Sequence, residues 1–269
     1  MDKSPPQTLS NLITTLKDER LIPKRRLSQN FIVDKNILYK IISAADIQKQ
    51  DHILEIGPGF GALTKELLNY SASVLAIEKD PALFSFLTRN LGNKRLQLIN
   101  DDFLKCDLLN LTASMNKIKV VANIPYHITS PIINKLTTIF HQIESVTLMV
   151  QKEMADRLMA KPGPKNNAFA LFVQSFFETK YLFTVSKNCY HPKPEVHSAV
   201  IQLIPKPLKS LPPFELQTFV KNLFQKRRKM LRSSFSIELL QHANIDPTAR
   251  PEELDLAKTI QLYLMNKNN

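Results

Sequence analysis

Four consecutive residues, Asn123-Ile124-Pro125-Tyr126, could hold the amino group of a flat aromatic ring. They follow the apolar run 118–122, which predicts a buried strand ending near Asn123. The Asn side chain offers one carbonyl acceptor, the next peptide carbonyl offers a second, and Pro125 restricts the backbone that aims it. Tyr126 offers a face for stacking a base. The same residues could form an ordinary turn, because Asn and Pro favour turns, so the rest of the chain must decide.

A glycine-rich stretch between a predicted strand and a predicted helix is the second candidate site. Three of the five glycines in the chain stand at positions 57, 59 and 61, which indicates a loop that needs a bare backbone. A helix N-terminus after such a loop is typical of a nucleotide-type cofactor site. Glu78 follows Gly57 by 21 residues, close to the ~20-residue spacing at which an acid reaches ribose hydroxyls. Either NAD or S-adenosylmethionine fits these features.

The glycine spacing favours S-adenosylmethionine over NAD. A dinucleotide site prefers G-x-G-x-x-G, but this loop has no glycine at position 62 and has an acid, Glu55, before it. The methyl donor carries no pyrophosphate that would need that cradle. Asp101 and Asp102 end the third predicted strand, and Asp102 is placed to accept a hydrogen bond from the adenine amino group of the cofactor. All these groups follow strand ends, where parallel sheets place their sites.

The elements that must position these groups alternate between strand and helix from residue 52 onward. This alternation predicts an α/β fold with a mostly parallel, doubly wound sheet, and two late strands, 181–185 and 199–204, predict an antiparallel addition at its edge. A proline-rich linker then precedes a purely helical pattern, which includes a predicted helix over 227–242. We therefore predict a catalytic domain over 1–206, whose first 35 residues form an arm, and a small all-α domain over 207–269.

Composition points to a polyanionic partner and a reducing compartment. The formal net charge of +12 and the pI near 9.6 favour nucleic acid as that partner. Cys106 and Cys189 have no companions at metal-ligand spacing, so we expect free thiols and no metal site. We find neither an apolar run of membrane-spanning length nor a signal peptide, and we expect a cytoplasmic monomer that does not engage membranes.

Two basic stretches are the candidate RNA contacts. One is the tripeptide Lys24-Arg25-Arg26, and the other lies in the C-terminal helical region. If the second stretch is helical, positions 225, 228, 229 and 232 share one face and form a stripe for phosphates. The alternative is an ordinary solvated face. The predicted contacts in the second stretch are Lys226, Arg227, Arg228, Lys229 and Arg232.

Taken together, the chain resembles the bacterial 16S ribosomal RNA adenine dimethyltransferases, the KsgA family. The resemblance covers about 24–234 and includes the donor loop and the 123–126 motif. The further matching blocks are Arg26-Leu27-Ser28-Gln29-Asn30-Phe31, Gln151-Lys152-Glu153, Pro192 to Val200 and Gln225 to Arg232. The resemblance implies a Rossmann-like class I methyltransferase that uses S-adenosylmethionine. It also implies that the substrate is two adjacent adenines in a loop near the 3′ end of 16S rRNA, in the assembling small ribosomal subunit.

The resemblance also implies roles for individual residues. It places donor contacts at Asn30, Ile32, Gly57, Glu78, Asp102 and Asn123. It places target contacts at Asn123 and Tyr126, with Tyr190 as a second stacking face. The chain departs from the family pattern at Tyr190, where Phe is usual, at His197, where Asp is usual, and at Ala168-Phe169, where Tyr-Gly is usual.

Three alternatives remain open on sequence grounds. The antibiotic-resistance dimethylases of 23S rRNA share the donor loop and the Asn-x-Pro-Tyr pattern, although the blocks at 151–153 and 225–232 favour the small-subunit family. An adenine DNA methyltransferase is disfavoured because no large target-recognition domain is visible. A ribosome-assembly binding factor, with methylation secondary or lost, is the third; the presence of every residue that the chemistry needs argues against loss.

Overall fold

The computed structural model describes residues 5–24, 27–207 and 211–267. The described strands are β1 (Phe31–Ile32), β2 (His52–Ile56), β3 (Ser73–Glu78), β4 (Leu96–Asn100), β5 (Ile118–Asn123), β6 (Ile143–Gln151), β7 (Phe177–Val185), β8 (Tyr190–His191) and β9 (Ser198–Pro205). The described α-helices are α1 (Leu9–Asp18), α2 (Lys35–Ala44), α3 (Ala62–Tyr70), α4 (Pro81–Asn90), α5 (Leu108–Leu111), α6 (Thr129–Leu136), α7 (Lys152–Leu158), α8 (Ala168–Phe176), α9 (Pro213–Gln225), α10 (Ile237–His242) and α11 (Leu256–Lys267).

Seven of the described strands form one sheet in the order β4-β3-β2-β5-β6-β9-β7, and β1 and β8 form a separate two-stranded sheet. Neighbours from β4 to β6 are parallel, and β9 runs antiparallel to β6. The predicted α/β class and the antiparallel addition near one edge are confirmed. Strands β2, β3 and β5 are almost wholly buried and read as continuous apolar runs, as expected for a sheet covered on both faces. The strand order reverses between β2 and β5, which is where such sheets form their binding crevice.

Local sequence signals start several of the helices. Asp34 and Asp80 cap α2 and α4 by accepting hydrogen bonds from the backbone N–H groups of Asn36 and Ala82. Helix α4 also carries Pro81 at its first position, where a missing N–H costs nothing. Capping and patterning therefore place α2 and α4 from the sequence alone.

The described chain packs into two compact units. The first comprises Met1–Ala155 and Lys180–Pro205 and contains the sheet apart from the first three residues of β7; the second comprises Asp156–Thr179 and Lys206–Asn269. The sequence pattern had assigned the segment 156–179 to the catalytic domain. Helix α8 within this segment packs against α9 and α11, because its buried apolar face completes the helical unit. The core of the second unit also includes Leu223, Leu240 and Leu262.

The predicted helix over 227–242 is wrong. Helix α9 ends at Gln225, a turn follows, a 3-10 helix spans Leu231–Ser233, and α10 begins only at Ile237. The N–H of Leu231 bonds to the carbonyl of Ala249 rather than to its own preceding turn, so tertiary contacts interrupt the helix. Lys226 to Lys229 therefore lie on a turn, Arg232 lies in the 3-10 helix, and these residues do not share one face of an α-helix.

Candidate active site

One cavity lies at the carboxyl ends of the central strands and is lined by residues of the N-terminal motif, the glycine loop, the acids at 78 and 102, and the 123–126 motif. Strand β2 leads into the glycine loop, β3 ends at Glu78, β4 leads to Asp102 and β5 ends at Asn123. The lining includes these predicted cofactor and target residues: Asn30, Ile32, Gly57, Glu78, Asp102, Asn123, Ile124, Pro125 and Tyr126. The structure thus brings the groups at the ends of the parallel strands together, as the strand order predicts, and adds Asn30 and Ile32 from the N-terminal motif.

Two loop glycines serve different purposes. Gly57 has a φ of +67°, and a Cβ added there would meet no atom within 4 Å, so this backbone faces open space and a ligand can approach it closely. Gly61 has a φ of +80°, and a Cβ there would lie 2.5 Å from Leu91 and 2.7 Å from Leu87. Gly57 therefore leaves open space beside the backbone, whereas Gly61 lets α3 pack close to α4.

Buried Glu78 links the glycine loop to the next strand. Its carboxylate accepts hydrogen bonds from the N–H of Gly59 at 3.0 Å and from the N–H of Asp80 at 2.7 Å. Burial nevertheless dominates and raises the pKa of Glu78 to about 7. Burial also raises the pKa of Glu55, at the start of the loop, to about 8. Both acids are therefore poised to change charge near neutral pH.

Asp102 is held at the rim of the cavity. It accepts hydrogen bonds from Lys79 Nζ at 2.8 Å and from the N–H of Leu104 at 3.0 Å. The bond from Lys79 keeps the pKa of Asp102 below its ordinary value, so the side chain is an ionised acceptor. Lys135 supports the same loop by donating to the carbonyls of Leu104 at 2.8 Å and Cys106 at 2.5 Å.

Asn123 is oriented by a bond to the N-terminal motif. Its Nδ2 donates to the carbonyl of Asn30 at 3.1 Å, so the amide nitrogen is used within the protein. The side-chain oxygen is the remaining hydrogen-bonding atom of that amide, and Asn123 lines the cavity. Asn30 itself is held because β1 pairs antiparallel with β8, an arrangement that sequence periodicity did not predict for two such short strands.

Tyr126 and Tyr190 are placed differently. Tyr126 lines the cavity, and its hydroxyl lies 2.6 Å from Ser198 Oγ. Tyr190 is only 4% exposed, lies outside the described cavity lining, and donates its hydroxyl to Met149 Sδ at 2.7 Å. Burial raises the pKa of both tyrosines, so both remain neutral phenols. In this conformation Tyr190 presents no free ring face, contrary to the expectation of a second stacking surface, and Ser198 is a contributor that the sequence reasoning missed.

The first predicted RNA-contacting stretch is only partly described. Arg25 and Arg26 lie outside the described residues. Lys24 forms an ion pair with Asp80, which is 3% exposed, at 2.6 Å, and Gln29 donates to the other oxygen of that carboxylate at 2.9 Å. The charge of Lys24 is therefore compensated within the protein.

The second basic stretch lines a surface groove of the helical unit. Lys226, Arg228 and Lys229 are exposed there, and Arg250 joins them from a distant part of the chain. Arg227 is different, because it pairs with Glu252 and donates to the carbonyl of Pro164. Arg232 is exposed but does not line the groove, and Arg250 lies outside both basic stretches predicted from the sequence.

The two remaining departures from the family pattern have local structural roles. His197 accepts a hydrogen bond at Nδ1 from the N–H of Lys187 at 3.4 Å, and its carbonyl accepts from the N–H of Lys152 at 3.0 Å. Ala168 begins α8, whose cap is Asn167.

Across residues 5–24, 27–207 and 211–267, no helix is long and apolar enough to cross a membrane. No group of three or more metal-binding side chains occurs in those same residues.

Comparison with known proteins agrees with this geometry. The model of the family described as ribosomal RNA adenine dimethylase matches residues 22–266. Ribosomal RNA small subunit methyltransferase A of Chlorobaculum parvum is 46% identical over 80% of this chain and 78% of its own. The protein of the same name from a Sulfurihydrogenibium species is 37% identical over 93% of this chain and 98% of its own. The crystal structure of a dimethyladenosine transferase from Plasmodium falciparum superposes with a TM-score of 0.76 at 26% identity, over 88% of this chain and 98% of that one.

The fold and the cavity define an enzyme of the class I methyltransferase type. A mostly parallel sheet, a glycine loop after β2, acids after β3 and β4, and an Asn-x-Pro-Tyr sequence after β5 are its components. Within that class, the chain belongs to the ribosomal RNA adenine dimethylase family.

Proposed function

We propose that this enzyme transfers methyl groups from S-adenosylmethionine to the amino groups of two adjacent adenines in a loop near the 3′ end of 16S rRNA. The observation that carries the proposal is the position of Asn123, whose amide nitrogen is bonded to Asn30 and whose side chain lines the cavity. This arrangement leaves a carbonyl oxygen to accept a hydrogen bond from an exocyclic amine. The relatives named as small subunit methyltransferases support 16S rRNA as the substrate.

The cavity suits a nucleoside-type donor. The open space at Gly57 admits close backbone approach, Glu78 is an acceptor for ribose hydroxyls, and Asp102 is an ionised acceptor for an adenine amino group. Asn30 and Ile32 complete the set from the N-terminal motif. S-adenosylmethionine, when bound, supplies an electrophilic methyl group on a sulfonium.

The residues of the chain then act by positioning and electrostatics. The lone pair of an adenine amino group is delocalised into the ring, so the amine is a poor nucleophile. Two acceptors, the side-chain oxygen of Asn123 and the carbonyl of Ile124, would hold both N–H bonds and favour a pyramidal nitrogen. The same oxygens would stabilise the positive charge that develops on the nitrogen as its bond to the methyl carbon forms and the methyl–sulfur bond breaks, which leaves the donor as a neutral thioether. A proton then leaves the cationic amine for solvent, so no strong base is needed.

Tyr126 provides the stacking surface for the target base. Its hydroxyl is fixed by Ser198, which limits rotation of the side chain. A stack of this kind contributes about 1–3 kcal/mol per base. The buried Tyr190 would serve as the second face only after a rearrangement that frees its ring.

Exposed cations of the second unit are proposed to bind phosphates of the substrate. Lys226, Arg228 and Lys229 line the basic groove together with Arg250, while Arg232 is exposed nearby in sequence. These contacts would be sequence-independent and sensitive to salt. Arg227 contributes less directly, because its guanidinium is already engaged by Glu252. Lys24 is likewise engaged, by Asp80.

The target RNA can be tested with labelled donor. We expect transfer of tritiated methyl groups to small ribosomal particles from cells that lack the modification, with two dimethylated adenines per particle. Large ribosomal particles from the same cells are the control, and they should take up no label. Label in the large particles would support the 23S rRNA alternative, and label in neither would favour a binding factor without activity.

Donor affinity should rise with pH. Burial raises the pKa of Glu78 to about 7. A cationic donor with ribose hydroxyls favours the ionised acid, so its dissociation constant should be about tenfold higher at pH 6 than at pH 8.

The same pKa affects stability. Between about pH 4.5 and pH 7 the folded protein keeps a proton on Glu78, whereas the unfolded chain has lost it, so the free energy of unfolding should fall as the pH rises through this range.

The matching control for the pH effect is Glu78→Gln, which cannot ionise. Titration of both proteins with S-adenosylhomocysteine and S-adenosylmethionine at several pH values measures the dependence. In the variant most of the slope should disappear, with a remainder from Glu55, whose pKa burial raises to about 8. An equally steep slope in wild type and variant would show that Glu78 is not the titrating group.

A further inference from the structure

Residues 5–19, the first described part of the predicted 35-residue segment and here called the arm, lie upstream of the part that the family model matches, which begins at residue 22. Its first described residues, Pro5, Pro6 and Gln7, are buried, although they stand near the start of the chain. Pro6 is among the residues that line the donor cavity. A terminal segment that reaches a binding cavity and is buried there is held by more than its own propensity.

Polar contacts anchor the beginning of the arm to α3, the helix that follows the glycine loop. Gln7 Nε2 donates to Glu66 Oε1 at 2.6 Å and to the carbonyl of Ala62 at 3.3 Å. Gln7 is 7% exposed and Glu66 is 6% exposed, so the bond is shielded from water. Breaking this bond would leave a buried donor and a buried acceptor without each other, which is costly because little solvent reaches them.

Apolar contacts then press the arm onto the glycine loop itself. Leu12 of α1 is 1% exposed and packs in a cluster with Phe60, Leu83 and Phe86. Phe60 belongs to the loop and stacks edge-on against Phe86 and against Phe31 of the N-terminal motif, with ring centroids 5.1 Å and 4.8 Å apart. The arm is therefore in direct contact with the loop that we propose to hold the donor.

A third contact fixes the end of α1. Glu19 accepts a hydrogen bond from Arg89 of α4 at 2.5 Å, on the exposed surface. The arm thus crosses from α3 to α4 and passes over Phe60 between them. Among the contacts of the arm with other described residues, the bond between Gln7 and Glu66 is both polar and buried.

We propose that the arm is part of the donor-binding site: Pro6 contacts the bound donor, and the bond between Gln7 and Glu66 sets the rate at which donor leaves. This inference rests on the proposed donor site. Its physical basis is that a ligand covered by a fixed segment of chain leaves only when that segment moves away. Gln7 is then a positioning residue, and its effect should fall on donor affinity and release rather than on the transfer step.

The test is a pulse-chase of tritiated S-adenosylmethionine from Gln7→Ala and Glu66→Ala, with Ser10→Ala, an exposed position on the same arm, as the control. We expect release about tenfold faster in either variant, no further increase in the double variant, and wild-type release in Ser10→Ala. Glu66→Gln keeps an acceptor oxygen and should stay close to wild type. The KM for donor should rise while kcat at saturating donor is unchanged.

The outcomes distinguish the proposed role of the arm from the proposed donor site. If the wild-type protein binds donor and Gln7→Ala releases it at the wild-type rate, the proposed role of the arm is wrong, but the proposed donor site is unaffected. Wild-type protein that binds no donor would overturn both. Because a variant can fail to fold, the second measurement is hydrogen exchange of the α1 amides in the wild-type protein. We expect these amides to exchange more slowly when donor is added. Unchanged exchange would contradict the proposed role of the arm.

Discussion

Asn123→Ala is expected to lower methyl transfer by a factor on the order of 10²–10³ or more, because it removes an acceptor that stabilises charge developing on the target nitrogen. The carbonyl of Ile124 would remain as the single acceptor, so one of the two N–H groups of the amine would have no hydrogen-bond partner in the site. Binding to the ribosomal particle should be nearly unchanged, since Asn123 lines a cavity of the first unit and carries no charge for phosphates. Single-turnover transfer with pre-bound particle isolates the chemical step.

The control for Asn123→Ala must reproduce the loss of a side-chain bond to a backbone carbonyl. Asn90→Ala does so, because Asn90 Nδ2 donates to the carbonyl of Phe86 at 2.8 Å on α4. Asn90 is not among the described lining residues of the cavity. We expect Asn90→Ala to transfer methyl groups at the wild-type rate. Wild-type turnover in Asn123→Ala would contradict the proposed mechanism, and equal losses in both variants would indicate a general structural effect.

Reversing two charges in the basic groove should produce the second large effect. Arg228→Glu combined with Lys229→Glu removes two proposed phosphate contacts and replaces them with repulsion, because both side chains are exposed. Affinity for the small ribosomal particle should fall about 10- to 100-fold at moderate salt, and the slope of log affinity against log salt should become shallower by about two. Filter binding across a salt series measures both quantities.

A double variant of equal net charge provides the comparison for the groove. Lys221→Glu combined with Lys258→Glu changes exposed lysines of the same helical unit that lie outside the described groove lining. This variant should lose much less affinity and keep a slope close to that of the wild type. If both double variants lose affinity equally, net charge alone would explain the effect. If the groove variant keeps the wild-type slope, the phosphates bind elsewhere.

The sequence predicts the site best where an apolar strand leads directly into a polar residue or a glycine loop. Strands β2, β3 and β5 are apolar runs that end in the glycine loop, Glu78 and Asn123. Parallel strands place their carboxyl ends at one edge, so the shared cavity followed from the order of these elements. The same logic could not place Tyr190, because its burial depends on β8 pairing with β1 across the chain.

The basic stretch at 226–232 shows how tertiary contacts override a local pattern. Its residues are compatible with a helix, but α9 ends at Gln225, and Leu231 bonds instead to the carbonyl of Ala249. Arg227 is drawn into contacts with Glu252 and Pro164, while Arg250 joins the groove from a later segment. A single sequence carries no signal for such pairs, because they depend on side chains that meet only after folding.

The amino-acid sequence by itself indicated the α/β class through periodicity and strand order, and the enzyme family through its resemblance to known motifs. Several residues that line the cavity followed from the polar groups at strand ends, whereas Asn30 and Ile32 were implied by the resemblance. Only the tertiary structure decided which of the candidate cations are free and which are paired. It also showed that Tyr190 is buried and that Gln7 meets Glu66. The physical reason is that burial and pairing are properties of groups far apart in sequence, and their charge and availability are set by neighbours that folding supplies.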